Sequence, residues 1–329
     1  MMTDRAPTAE GVIAAAKRIA PYVVKTPLLE SADLNARVGG RVLMKAETLQ
    51  HGGSFKFRGA INRLLQLSDQ ERRAGVVAWS SGNHAQGVAR AAKLLGVRAT
   101  IVMPRDAPTI KIDQVRAFGG EVVFFDRYTE DREAIGLAIA RESGAALAPS
   151  FDHPDIVEGQ GTLSLEAHAQ AEAAGASLDA FVFCCGGGGM GSGGAIILEK
   201  LSPRTAIVLA EPQGFDDAAR SLAAGRIERS DITRKTLCDA LATPALSALT
   251  FGILGRRAAS AFAVSDADVE RAMRFAFRDL KLVLEPGGAA ALAGVLAGKI
   301  DARGRTLAIT LSGGNVDPAL FSQALARSD

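Results

Sequence analysis

Lys56 stands in the run Gly53-Ser54-Phe55-Lys56-Phe57-Arg58-Gly59-Ala60, a glycine-flanked lysine among apolar neighbours. Partial desolvation disfavours an ammonium, so a lysine in such a place keeps more of its side chain as the neutral amine and can condense with an aldehyde. Read alone, the run also fits a surface lysine beside a turn. A second segment, Ser80-Ser81-Gly82-Asn83-His84-Ala85-Gln86-Gly87, reads as a polar loop that leaves a strand and opens a helix, the place where open α/β sheets bind ligands. Backbone amides at a helix start suit a carboxylate, and Asn83 offers a side-chain amide to a polar ring substituent. An ordinary N-cap with a solvated histidine fits the same residue types.

The third segment is Cys184-Cys185-Gly186-Gly187-Gly188-Gly189-Met190-Gly191. Its successive glycines strip the side chains from a turn between strand and helix, so backbone amides can converge on an anion, most naturally a phosphate. A flexible linker seldom occupies such a place. Gly186, Gly188 and Gly191 also satisfy G-x-G-x-x-G, with Glu211 near the acidic position expected at the end of the next strand. A nucleotide-dependent oxidoreductase is therefore a competitor, although it leaves Lys56 and the Ser81 to His84 loop without a task. A phosphorylated aldehyde cofactor uses all three segments.

The elements that must position these residues alternate between short apolar runs and helical patterns, which makes the fold class α/β with parallel sheets flanked by helices. Strands are expected at 76–79, 99–103, 121–125, 179–183, 205–209 and 306–311, and helices at 84–95, 110–118 and 130–142. Ser265 to Leu280 reads as one helix, with an N-cap serine, an acid three residues on, and Val269, Met273, Phe275 and Phe277 packed on the core. At 329 residues the chain suits two lobes around a cleft.

The 38 basic and 36 acidic residues give a net charge of +2 with no basic run, which argues against nucleic acid as the partner. No apolar stretch is long enough to span a membrane, and Met1-Met2-Thr3-Asp4-Arg5-Ala6-Pro7 lacks a secretory pattern, so a soluble, cytoplasmic protein is expected. Cys184, Cys185 and Cys238 form neither a disulfide framework nor a metal set and read as buried, inert thiols.

Together with Leu311-Ser312-Gly313-Gly314-Asn315-Val316, the three segments resemble the pyridoxal-phosphate enzymes of fold type II, and within them the threonine/serine dehydratase and serine racemase family, in order and over nearly the full length. The resemblance implies a two-lobed fold like that of tryptophan synthase β, each lobe a mostly parallel sheet flanked by helices. Residues 1–74 and 152–329 would form the large cofactor-binding domain and 75–151 a small α/β domain. It implies pyridoxal 5'-phosphate held by Lys56 as a Schiff base, Asn83 on the phenolic oxygen of the ring, and Gly186, Gly187, Gly188, Gly189 and Met190 on the phosphate. Phe55 would pack beside the ring and Ser312 would face its nitrogen, where a hydroxyl, unlike a carboxylate, does not hold the ring protonated and so favours elimination.

By the same resemblance, the substrate is a small 3-hydroxy amino acid, L-threonine or L-serine first. Its carboxylate would rest on the loop of Ser80, Ser81, Asn83 and His84. Lys56 would remove the α-proton, the hydroxyl would leave with a proton from the cofactor phosphate, and hydrolysis would release a 2-oxo acid and ammonia. Ser81, on the opposite face, keeps serine or aspartate racemisation open, and elimination from the opposite configuration. Arg132 offers a guanidinium for the second carboxylate of a 3-hydroxyaspartate, or else lies on a solvated helix face. Glu211, Phe215 and Asp217 stand at the family's offsets for Mg²⁺ or Ca²⁺, through two carboxylates and a carbonyl. An acidic loop capping the helix from Asp216 fits them too.

His51-Gly52 replaces the Lys-Thr pair of a nucleotide site, which speaks against ATP activation, and Ala240 follows Asp239 where the family often has glycine. The end of the chain at Asp329 leads us to expect no regulatory domain, and a homodimer follows from the resemblance. His153 and His168 read as structural or exposed, and Glu285, before Pro286-Gly287-Gly288, is a candidate to approach the cofactor ring, with no role assigned.

Overall fold

The computed structural model describes residues 5–107 and 109–327; the start of the N-terminal segment read above, Met1 to Asp4, and the last two residues lie outside them. Among the described residues the strands are β1 (Leu28–Glu30), β2 (Arg41–Ala46), β3 (Val76–Trp79), β4 (Ala99–Pro104), β5 (Glu121–Phe125), β6 (Ala146–Leu147), β7 (Ala180–Cys184), β8 (Ala206–Pro212), β9 (Ala258–Val264) and β10 (Thr306–Leu311). They form two sheets. The six-stranded sheet runs β1-β2-β10-β7-β8-β9, parallel except for β1 against β2, and the four-stranded sheet runs β5-β4-β3-β6, parallel throughout.

Parallel strands buried on both faces read as continuous apolar runs. In β7 every residue of Ala-Phe-Val-Phe-Cys is buried, and the Phe181 and Phe183 rings stack at 4.3 Å. Helices Pro154–Ala173, Gly189–Leu201 and Pro286–Leu296 supply much of the burial around this sheet. The second core gathers Val76, Ala78, Ile101 and Met103 with Phe57, Ile61 and Leu64 of helix Lys56–Leu64 and Ala85 and Val88 of helix Asn83–Leu95. These two helices carry the lysine and the serine-rich loop.

A buried charge network locks the lysine helix in place. Arg58, with no exposed surface, donates to both oxygens of Glu47 at 2.8 and 2.9 Å and to both oxygens of Glu166 at 2.8 Å. Lys45 in β2 donates to Glu166 at 2.8 Å and to the Thr26 carbonyl at 2.7 Å. Ions taken out of water are tolerated only when paired in this way. The network joins β2, the helix that Lys56 opens, and helix Pro154–Ala173.

Two expectations are corrected. The run from Ser265 has its capping box with Asp268, but the α-helix Asp266–Phe275 gives way to a π-helical turn, Ala276–Leu280. Phe277 falls in that turn, 43% exposed with its ring edge-on to Phe321 at 5.5 Å, instead of joining the core. The helix expected from residue 130 begins at Arg132, because the Asp131 side chain accepts from the amides of Glu133 and Ala134 and acts as the N-cap. Among the described residues no helix is long and apolar enough to cross a membrane.

Candidate active site

Lys56 opens its helix directly after the loop 51–55, and that loop is tied to the segment following β10. The Phe55 amide donates to the Ser312 carbonyl at 3.2 Å, the Gly314 amide to the Gly53 carbonyl at 2.9 Å, and the Asn315 side chain to the Gly52 carbonyl at 2.7 Å. The lysine Nζ donates to the Ser150 carbonyl at 3.0 Å and lies 5.2 Å from the centre of the Phe55 ring. Burial pushes the amine down to about 8, against the pull of the Glu285 charge. A neutral, nucleophilic amine is then well populated near neutrality.

The loop after β3 ends at Gly82, which N-caps helix Asn83–Leu95 and has no side chain to bond the first amides. Ser68, Ser247 and Ser265 close other helices with full capping boxes. The open start at Asn83 keeps its donors for a ligand. Asn83 donates to Glu285 Oε1 at 2.5 Å and accepts from Asn315 at 2.8 Å, which leaves one amide N–H for another acceptor. His84 is buried, not solvated. Its Nε2 donates to the Ala148 carbonyl at 2.7 Å, Nδ1 has no partner, and burial, helped by the Lys56 charge, holds it down near 3, so the ring is neutral at pH 7.

The glycine loop leaves β7 and opens helix Gly189–Leu201, again without a side-chain cap. Gly188 sits at φ 82°, a conformation that disfavours any side chain. A Cβ on Gly187 would lie 2.3 Å from the Phe151 ring. The turn thus presents bare backbone.

One cavity brings these parts together: Phe55 and Lys56, Ser80 to His84, Arg132, Gly186 to Gly189, Met190 and Ser312 all line it. Ser150, Phe151, Asp239, Thr243 and Glu285 line it as well; the sequence singles out Asp239 and Glu285 without giving either a role, and gives no sign of the other three. Glu285, a candidate without a role in the sequence, does line the cavity. It is 2% exposed, its Oε2 has no partner, and burial raises its carboxyl to about 7, with Asp239 adding to the rise and Lys111 opposing it. The available signal was a glutamate placed just before Pro-Gly-Gly, at the start of helix Pro286–Leu296. Arg132 borders the cavity from the first turn of its own helix, yet it is exposed, as the solvated-face reading expected, and forms no hydrogen bond or ion pair with a described residue.

Glu211, Phe215 and Asp217 lie outside the cavity. Glu211 is in β8, and its two oxygens accept from the Ala218 and Ala219 amides at 2.8 Å. Asp217 accepts from the Ser230 hydroxyl at 3.1 Å, and its buried Oδ2 has no partner. Burial raises both carboxyls, to about 8 and about 6. His153 N-caps helix Pro154–Ala173, a structural role, while His168 is half-buried. Cys184, Cys185 and Cys238 are buried, and desolvation raises each thiol, which keeps them protonated.

Residues 19–313 match the family described as "Pyridoxal-phosphate dependent enzyme". The chain belongs to that family. The L-threo-3-hydroxyaspartate ammonia-lyase of Saccharomyces cerevisiae is 44% identical over 320 residues, covering 97% of both chains. Among solved structures, the threonine deaminase of T.th. superimposes with a TM-score of 0.89 at 45% identity, over 94% of this chain and 99% of that one. Maize serine racemase gives 0.91 at 36% identity, over 98% and 97%. Membership in that family argues against the nucleotide-dependent oxidoreductase that the G-x-G-x-x-G spacing had left open. Glu211 agrees, because both its oxygens are committed to backbone amides. The cavity fits the cofactor chemically: a buried amine of lowered pKa, bare backbone at a helix start, and buried polar groups on Asn83 and Glu285 with bonding capacity to spare.

Proposed function

We propose that the chain is an ammonia-lyase for a 3-hydroxyaspartate, removing water and ammonia to leave a 2-oxo acid. Arg132 carries this reading. Arg132 lines the cavity and forms no hydrogen bond or ion pair with a described residue, its acidic neighbours Glu133 and Asp131 acting on it only through their charge, and a planar fork of donors is shaped for a carboxylate beyond the one taken by the helix start at Asn83. L-Threonine and L-serine, the substrates first expected, carry a methyl group or a hydrogen there and make no use of it. Identity alone does not rank the readings, since the hydroxyaspartate enzyme and the threonine deaminase stand at 44% and 45%.

Lys56 would hold the cofactor and, once released, take the α-proton. The cofactor supplies an electrophilic carbon and a ring that spreads the electron pair left behind. Gly186 to Gly189 and Met190 would hold its phosphate, Phe55 would flank the ring, and Ser312 would meet the ring nitrogen without forcing it to be protonated. Ser80, Ser81, Asn83 and His84 would orient the α-carboxylate, with His84 kept neutral by burial. Ser81 is a second proton carrier in the Lys56 cavity, which supports racemisation of serine or aspartate as the second reading.

We further propose a hard divalent cation, Mg²⁺ or Ca²⁺, at Glu211, Asp217 and the Phe215 carbonyl. Two buried carboxyls and the unpartnered Asp217 Oδ2 support it; the amides of Ala218 and Ala219 compete for Glu211. No cluster of three or more His, Cys, Asp or Glu is gathered among the described residues, so water would complete the shell.

Initial rates on L-threo-3-hydroxyaspartate, L-threonine and L-serine, read as 2-oxo acid and ammonia, test the substrate. We expect kcat/KM to favour hydroxyaspartate by at least about 100-fold and Arg132→Met to erase most of that margin. Faster turnover of threonine would refute the assignment, and chiral analysis of recovered serine and aspartate tests the second reading.

A further inference from the structure

Lys111 lies in the first turn of helix Thr109–Ala117, which follows β4 of the four-stranded sheet, and its ammonium pairs with Asp239. Asp239 opens the short turn Asp239–Leu241, which belongs to the segment between β8 and β9 of the other sheet. The two partners are unlike in their surroundings. The Lys111 side chain is 10% exposed and the Asp239 side chain 55%.

Asp239 lines the same cavity as Lys56 and Arg132. The Lys111 Nζ is 3.8 Å from the place a Cβ would take on Gly82, so it stands beside the carboxylate-binding loop. Its only hydrogen bond or ion pair among the described residues is with Asp239. A buried ammonium needs an anion, whereas a half-exposed carboxylate can return to water at small cost. The pair is therefore built to exchange its acid and keep its base.

We propose that Asp239 is a resident stand-in for a substrate carboxylate: an incoming dicarboxylate displaces it from Lys111, and Lys111 then joins Arg132 in selecting the second carboxylate. This rests on the hydroxyaspartate reading above. A monocarboxylate substrate has its one charge taken by the start of helix Asn83–Leu95 and leaves the Lys111–Asp239 pair closed. A dicarboxylate brings the charge that opens it. Lys111 is thus a specificity residue, and Asp239 sets how strongly the cavity discriminates against substrates with a single carboxylate.

Calorimetric titration of the holoenzyme with succinate and with its monoamide, succinamate, tests this without turnover. Wild type should bind succinate the more tightly. Lys111→Met should cut that preference about tenfold, Lys111→Arg should retain most of it, and Asp239→Asn should raise it about tenfold. Misfolding cannot imitate the gain in the asparagine variant. Equal binding of the two probes by wild type, or a preference that neither Lys111→Met nor Asp239→Asn changes, overturns the proposal. A wild type that prefers threonine over hydroxyaspartate sinks the substrate reading while the succinate preference still reports on Lys111. A hydroxyaspartate lyase whose succinate preference ignores both substitutions sinks the Lys111 proposal alone.

Discussion

Asn83 donates to Glu285 through a bond of 2.5 Å that joins residues 202 apart in the chain. It links the first turn of the helix after β3 to the N-cap of helix Pro286–Leu296, and hence the four-stranded sheet to the six-stranded one. The amide is oriented by a carboxyl that burial holds near half-protonation at neutral pH.

That carboxyl makes stability depend on pH in a defined direction. Glu285 is raised from 4.5 to about 7, so across this window the folded protein keeps a proton that the unfolded chain has lost. The associated stability is whole below about pH 4.5 and is lost as pH rises through about 7, a change of roughly 3 kcal/mol. Glu285→Gln removes the titration and keeps an acceptor for Asn83. Urea unfolding of the cofactor-free protein should show the variant gaining on wild type at pH 8 and not at pH 4.5. A gain of equal size at both would trace the effect to packing.

Lys56 titrates in the opposite sense. Its amine is lowered to about 8, and only the neutral form attacks an aldehyde. The rate at which cofactor-free protein takes up pyridoxal phosphate, followed by absorbance, should rise about tenfold per pH unit up to about pH 8 and then level off. A plateau reached only near pH 10 would show a solvated lysine.

The glycine turn should tolerate no methyl group. Gly187→Ala places a carbon 2.3 Å from the Phe151 ring, and relief of such overpacking costs about 1–3 kcal/mol. Cofactor occupancy after dialysis should fall, and the double variant with Phe151→Leu should recover part of it. A single variant that retains full occupancy would mean that the turn relaxes freely.

The Arg58 network predicts a large loss. Arg58→Met strands Glu47 and Glu166 without the guanidinium that bonds both, and breaking a buried pair typically costs about 3–5 kcal/mol. Chemical unfolding at pH 7 measures it. A cost under about 1 kcal/mol would mean that water reaches the site.

The strands of the site were readable because β3, β7 and β10 are short apolar runs beside glycine or serine loops, and those loops carry the ligand-facing backbone. Other elements were hidden by their composition. In β2, Arg-Val-Leu-Met-Lys-Ala is rich in helix formers, and its Lys45 is buried only because Glu166 lies 121 residues away in sequence to pair with it. In β9, alanine and serine give little apolar signal. Glu285 escaped assignment for a similar reason: its role depends on Asn83, and no local pattern reveals a contact made across the fold. Ser81 and Asn83 stood out in sequence, but the fact that their helix lacks a side-chain cap needed the structure.

The tie between Asn315 and Gly52 spans 263 residues. During synthesis the lysine loop emerges long before the strand and asparagine that hold it, so the reactive amine is set in place among the last events of folding. Long-range closure of this kind is slow. The enzyme should therefore collapse first and gain the capacity to take up its cofactor later, with the two steps separable in time.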